Sequence, residues 1–438
     1  MKIRSLIVAA LAFLVLGGLL YWSEHRKEDN TSKVSADVPP SILKLDQSAI
    51  TKLEVKKKGA PPVLLTKAES GNWQITEPKP LAADQSAVSG MLSTLSLLNS
   101  ERLVEENAPD LKRYGLDQPS VEVEISEKTN QSKKLLIGDD TPTGGAVYAM
   151  LAGRPHVYTI ATFNKNSVDK GLNELRDKRL FTIDADKVSR IELRHGGQDI
   201  EFGRDKDEWQ ILKPKPMRAD SSQVSELVQK LADARMEISS ADIGDKLATS
   251  SFASGIPLAT AKVTDASGTK QIEVRKNKDD YYAKSSMVDG VYKIGADLGH
   301  SLDKKLEEFR NKKVFDFGFD DPDQIELHNG DKTYYLMRKG QDWWSNGKKM
   351  DSTSVQSLVA KFRELTASKF VESGFSKPLI NASVVSRGGK KMEKVSIAKS
   401  SDGYLAKLEN KPSLYGLDAS SVDELLKAAD AVTPASAK

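Results

Sequence analysis

One phrase recurs three times in this chain, and it restricts the fold to an array of similar modules. Trp73-Gln74-Ile75 leads through Pro78-Lys79-Pro80 to Asp84 and Val88. Trp209-Gln210-Ile211 leads through Pro214-Lys215-Pro216 to Asp220 and Val224. Trp343 leads through a lysine turn to Asp351 and Val355. The three tryptophans stand 136 and 134 residues apart, and Phe181 and Phe315 are again 134 apart. Tyr148 pairs with Tyr282 at the same offset, and Val157-Tyr158 with Val291-Tyr292. Similar junctions, residues 175–180 and 309–314, precede the two phenylalanines. Solenoid repeats run at about 20–50 residues, so this period is a domain duplication. The modules are placed at residues 43–180, 181–314 and 315–438, in keeping with a length prior of about three domains.

Each module begins with strands. Ile50-Thr51-Lys52-Leu53-Glu54-Val55 alternates apolar and polar, Ile191-Glu192-Leu193 and Ile325-Glu326-Leu327 follow suit, and the tryptophan strand comes third. Asp84, Asp220 and Asp351 each stand four residues before the first core valine, the N-cap position of a helix. The apolar stripe then recurs at i, i+3, i+4, i+7: Val88, Met91, Leu92, Leu95; Val224, Leu227, Val228, Leu231; Val355, Leu358, Val359, Phe362. Further alternating strands follow, and a closing helix is expected over residues 167–179, 301–312 and 421–429. The expected class is α+β: tandem modules, each a largely antiparallel sheet packed with a capped amphipathic helix and a closing helix, behind one N-terminal transmembrane helix.

That helix is read from Ser5 to Trp22, a stretch without charge, preceded by Lys2 and Arg4. Leu6, Ile7, Val8, Leu11, Phe13, Leu14, Val15, Leu16, Leu19 and Leu20 supply the apolar surface, with Tyr21 and Trp22 at the interface end. About 18 residues at 1.5 Å each nearly span a bilayer core of roughly 30 Å. Leu20-Tyr21-Trp22-Ser23 is a poor signal-peptidase site, a lipoprotein anchor needs a cysteine the chain lacks, and a buried core helix is rarely so apolar all round. An uncleaved signal anchor over residues 1–22 is the expectation, with the bulk of the chain extracytoplasmic at a bacterial inner membrane. Residues 23–42, ending in Pro39-Pro40, read as a flexible linker.

Lys plus Arg number 65 against 62 Asp plus Glu, a mixed surface that makes no electrostatic case for nucleic acid. With no cysteine, disulfides and thiolate chemistry are excluded. His25, His156, His195, His300 and His328 show no metal-ligand spacing, and no nucleophile elbow or phosphate-cradling glycine loop occurs. Neither a catalytic residue nor a metal or cofactor is expected. Gly144-Gly145 and Gly388-Gly389 read as hairpin turns, as does Gly138-Asp139-Asp140. Asp320-Asp321-Pro322-Asp323 lacks the glycine and terminal glutamate of a calcium loop. Lys79 and Lys215 are candidate partner-facing positions, although a stiff crossover into the capped helix explains their loops as well. The tryptophans read as core anchors, and the basic junctions as solvated helix ends.

The strand–Trp–Pro–capped-helix phrase, Tyr114-Gly115-Leu116 before Pro119, and the Leu-Arg-x-Lys-x-Leu/Val-Phe junction resemble a bacterial domain-of-unknown-function family, number 4340. The resemblance covers essentially everything after residue 42. It implies an N-terminal transmembrane segment and an accessory role beside gliding-motility-type ABC transporters, and it defines no catalytic residues. The third module departs from it, lacking Pro-Lys-Pro, and reads as a degenerate or capping copy.

The expectation is therefore a non-enzymatic, membrane-anchored scaffold or accessory subunit, partnered by an ABC permease or ATPase. A module that binds a cell-wall glycan through exposed Tyr281, Tyr282, Tyr334 and Tyr335 is the alternative. A hydrolase with an unrecognised acid pair is the remote one.

Overall fold

The structure is a computed structural model and describes residues 41–128, 131–206, 208–238 and 246–436. The anchor residues Leu6 to Trp22 and the linker up to Pro40 lie outside the described residues. Among the described residues no helix is long and apolar enough to cross a membrane.

Three nine-stranded antiparallel sheets follow one another with the same strand order. In the first, the strands are β1 (Ile50–Lys57), β2 (Val63–Lys67), β3 (Trp73–Glu77), β4 (Leu81–Ala82), β5 (Arg102–Glu105), β6 (Val121–Glu127), β7 (Ser132–Asp140), β8 (Ala146–Leu151) and β9 (Val157–Ala161). Their order is β4-β3-β2-β1-β6-β7-β8-β9-β5. Two four-stranded meanders thus meet at β1 and β6, and β5 closes the far edge. The period-2 pattern decides which face is buried: Leu53 opposes Ile125 and Val55 opposes Val123 in register, all four in the core.

The helix Gln85–Ser96 lays Val88, Met91, Leu92 and Leu95 on that face. Each such side chain contributes about 1.5–3 kcal/mol by leaving water. Asp84 caps the helix by accepting from the amides of Ser86 and Ala87, at 3.0 Å each. Asp220 caps Ser221–Ala232 in the same way, and Asp351 caps Ser352–Glu364 through the Ser354 amide. The fold class is α+β, with three repeated modules.

The closing helices differ from expectation. Where the sequence pattern predicts one helix over residues 167–179, the chain forms Thr162–Val168 and Leu172–Leu175, broken at Asp169-Lys170-Gly171. Residues 301–312 likewise give way to Ala296–Leu302 and a 3-10 turn at Leu306–Glu308. The third module's final helix, Ala419–Asp430, spans the expected 421–429. The cause in the first two modules is backbone pairing. Asp84 N–H donates to the Leu175 carbonyl and Asp177 N–H to that of Ala82, both at 2.8 Å. Asp220 donates to Phe309 and Asn311 to Arg218 in the second module, and Asp351 donates to Thr433 in the third. The exit segment of each module is therefore an extended strap laid beside the residue before the N-cap. The basic junctions are parts of straps rather than solvated helix ends, and Arg176 and Arg310 are buried.

The outer faces of the first two sheets carry covers. Residues 106–120, with the 3-10 turn Leu111–Tyr114, bury Tyr114, Leu116, Met150 and Val157 together. Gly138 lies in β7 rather than in a turn, and a Cβ there would stand 2.0 Å from the Tyr114 carbonyl oxygen. The glycine lets the cover approach the strand. In the second module the helix Lys246–Ser254 covers Tyr282 and Val291 with Phe252.

Two compact units divide the chain, Met1–Asp177 and Lys178–Lys438. The first holds one sheet and the second holds two. Within the second, Arg310 bridges to Ala219 of module two, and Lys313, three residues on, bridges to Thr366 of module three. The crossing between these modules has no slack.

Candidate functional surfaces

The recurring residues are structural. Trp73, Trp209 and Trp343 are 7%, 3% and 1% exposed and lie in three separate cores. Val88, Val224 and Val355 are buried with them. The residue after each of the first two caps ties the tryptophan strand to the helix start. Gln85 accepts from Trp73 N–H at 2.8 Å and donates back to its carbonyl at 2.9 Å, and Ser221 Oγ accepts from Trp209 N–H at 3.2 Å.

Of the two candidate partner-facing lysines, Lys79 is exposed. Lys215 is half-buried and reaches Glu372 of module three at 2.6 Å. The aromatic contacts expected for a glycan need correction: Tyr281 and Tyr282 are buried, the first in the core and the second under the cover, and Tyr334 and Tyr335 are half-buried. Asp321 accepts from Gln356 at 2.5 Å, and Asp323 accepts from Gly389 N–H at 3.2 Å, so both carboxylates serve local structure. His328 Nε2 lies 2.7 Å from Glu326, and His195 Nε2 lies 3.3 Å from Asp303.

Two arrangements have no local signature in the sequence. One is the polar junction of modules two and three. Arg218 donates to the Lys313 carbonyl at 2.8 Å and stands 3.7 Å from both Asp316 and Glu393. Asp316 N–H donates to both Glu393 oxygens, at 3.2 and 3.0 Å, and its carboxylate accepts from Asn311 at 2.7 Å. Burial pushes the Asp316 carboxyl up, but the Asn311 amide and the charges of Lys391, Arg218 and Lys313 outweigh it and hold the group below the usual carboxylate range. Burial wins at Glu393, which is raised above that range against the pull of Lys391 and Arg218. The junction is a fastening: its charges face one another, and Arg387 adds an ion pair to Glu208 at 3.0 Å.

The other is an open cleft of about 600 Å³ on the outer face of the third sheet, with the Phe375 ring among its lining side chains. Glu326, His328, Asn381, Ser383, Lys394, Ser396, Lys407, Glu409 and Asn410 line it. These residues are far apart in sequence, and only strand register brings them together.

The fold defines a class: a tandem array of α+β modules, each strapped to itself through the residue before its helix cap. A family model described as "Domain of unknown function (DUF4340)" matches residues 73–237 and again 209–380, and the chain belongs to that family. Each match starts at a tryptophan strand and ends in the module that follows, so the family's unit is out of phase with the sheets. No curated protein and no solved structure matches the chain.

Proposed function

We propose that this chain is a non-enzymatic scaffold of a bacterial envelope, anchored in the cytoplasmic membrane by a single helix over residues 5–22, with its modules on the extracytoplasmic side. In this reading it is an accessory subunit of an ABC-type exporter or a related envelope assembly. The observation that carries the reading is where the recurring residues go. The tryptophans, the capping aspartates and the straps all hold modules together, and the charged groups at the module junction face one another. That is the economy of a structural part, whose use lies in presenting surfaces. The transporter as partner follows from the family resemblance, and the anchor from the uncharged run of residues 5–22.

Crosslinking of the full-length protein in its native membrane, followed by purification through a C-terminal tag, tests the reading. Co-recovery of an ABC permease or its ATPase is the expected result. Solubilised complexes that contain neither overturn the partner. Removal of residues 1–40 is expected to release the protein from the membrane fraction, and retention there overturns the anchor.

A further inference from the structure

Three copies of one fold within a single chain allow their outer faces to be compared position by position. Fifteen residues, 106–120, separate the corresponding strands of module one and cover its sheet; eighteen, 238–255, separate them in module two, where the helix Lys246–Ser254 covers the sheet. The corresponding segment of module three, residues 372–379, has eight residues in place of fifteen and eighteen, and no helix. The face it leaves open is the cleft.

Strand register gives the equivalences. Ser383 opposes Glu326 as Glu124 opposes Glu54 in module one. Asn381 opposes Ser396 as Glu122 opposes Leu136, and Lys407 opposes Ser396 as Met150 opposes Leu136. In module one Lys134 stands 3.9 Å from Glu122 and 3.0 Å from Glu124, and Met150 is buried beneath the cover. Module three thus replaces two ion-paired carboxylates and two apolar side chains with Ser383, Asn381, Ser396 and Lys407.

Removing a cover ordinarily leaves an apolar scar; here the uncovered face is polar, as a wetted binding surface requires. Asn381 Oδ1 accepts from Ser396 at 2.7 Å, which aligns the amide. Among the described residues, the Asn381 amide nitrogen, the Ser383 hydroxyl, the Asn410 amide and the Lys407 ammonium have no hydrogen-bond partner in the protein. The two lysines and two glutamates lining the cleft balance in number: Lys394 pairs with Glu409 at 3.6 Å, Glu326 lies 2.7 Å from His328, and the Lys407 ammonium stands 5.9 Å from the centroid of the Phe375 ring. A polyanion or a polycation therefore gains no net attraction. The lining strands all lie inside the sheet, their backbone groups already paired, so a peptide finds no edge to extend. What remains is side-chain recognition by hydroxyl and amide groups beside the aromatic ring of Phe375, the chemistry that suits a neutral polyol.

We propose that the uncovered outer face of module three is a cleft for a short neutral saccharide, its hydroxyls bound by Ser383, Asn381 and Asn410 and one sugar face resting on Phe375. The proposal goes beyond the scaffold reading and stands or falls apart from it. The test is titration of the full-length protein, in a detergent without sugar headgroups, with neutral tetrasaccharides of glucose and of N-acetylglucosamine, read by calorimetry. At least one is expected to bind. Asn381→Ala is expected to weaken binding roughly tenfold. Ser383→Glu, which restores the residue of module one, is expected to abolish it, while Glu124→Ser in module one leaves it unchanged. Should Ser383→Glu lower the unfolding temperature, Phe375→Ala carries the same expected loss. Absence of binding to either saccharide, binding that survives these cleft substitutions, or binding of a neutral tetrapeptide in their place overturns the proposal.

Discussion

The guanidinium carbon of Arg310 lies 3.5 Å from the centroid of the Phe370 ring, and the two residues belong to different modules. The same guanidinium donates to both Glu307 oxygens, at 3.0 and 3.1 Å, and to Ser413 Oγ at 3.1 Å. Phe370 is in turn held edge-on to Tyr415, with centroids 5.2 Å apart. A planar fork is the one side chain that can stack and form these bonds at once. Arg310→Ala removes the stack and strands Ser413, and is expected to destabilise the second unit by about 2–4 kcal/mol. Arg310→Lys keeps the charge but loses the fork, and should recover less than half of that. Hydrogen exchange at the Asp220 and Asn311 amides, which the strap protects, is the direct readout.

The capping aspartates predict a graded series. Asp220 Oδ1 accepts from Ser222 N–H at 3.0 Å and from Gln223 N–H at 3.2 Å. Asp220→Ala should cost about 1 kcal/mol, whereas Asp220→Ser, another good cap, should cost a few tenths. Chemical denaturation of the three proteins under one set of conditions decides it. Equal losses for the two variants would mean that the carboxylate acts through charge rather than through these two bonds.

These caps show what was legible in the sequence. A cap, the tryptophan before it and the stripe after it are local patterns, so Asp84, Asp220 and Asp351 could be placed from spacing alone. The closing helices were not legible, because residues 175–177 and 309–311 have helical spacing but answer to backbone partners about 90 residues away. One four-letter string makes the point. Tyr114-Gly115-Leu116-Asp117 leaves a 3-10 turn through Gly115 at φ +64°, whereas the first three residues of Tyr415-Gly416-Leu417-Asp418 lie in the strand Leu414–Leu417. The first lies on the outer face beneath no other strand; the second pairs with Lys369–Val371 and Gly403–Leu408. The cleft was invisible for the same reason: Ser383 and Lys407 become neighbours of Asn381 and Ser396 only through register.

Asp265 gives the second unit a pH dependence whose sign can be worked out. The carboxylate is buried, which alone would push it up. Lys270 at 2.7 Å and Ser267, through its hydroxyl at 2.6 Å and its amide at 2.8 Å, overrule burial and hold it far below the usual carboxylate range. A group depressed in the folded state contributes stability above its unfolded value of about 3.9, and that contribution is lost as pH falls through the folded value. Asp265→Asn places an amide donor either against the Lys270 ammonium and the Asp184 N–H, which share Oδ2, or against the Ser267 N–H on Oδ1. It should cost about 2–4 kcal/mol at neutral pH. The gap between variant and parent should narrow as the pH drops below about 4. A gap that stays constant from neutral pH to pH 2 would show that packing, not charge, is responsible.

The strap between modules two and three makes the last prediction, which concerns cooperativity rather than strength. Asn311 N–H donates to the Arg218 carbonyl at 2.9 Å, so the chain is still tied to module two at that residue. Ala367 N–H donates to the Lys312 carbonyl at 2.8 Å, and Val314 N–H donates to that of Leu365 at 3.0 Å, so one residue later it is tied to module three. With the polar junction bridging beside it, opening one module exposes the fastening of the other, and the two should unfold in a single calorimetric transition. Four glycine-serine residues inserted after Asn311 leave the Asn311 bond to module two and the Lys312 and Val314 bonds to module three all able to form. Their closure entropy is small on the scale of a module's stability. What they remove is the shared constraint. The expected result is two separated transitions whose summed enthalpy is close to that of the parent. A single transition at the parent's temperature would show that the side-chain junction of Arg218, Asp316 and Glu393 couples the modules without the strap.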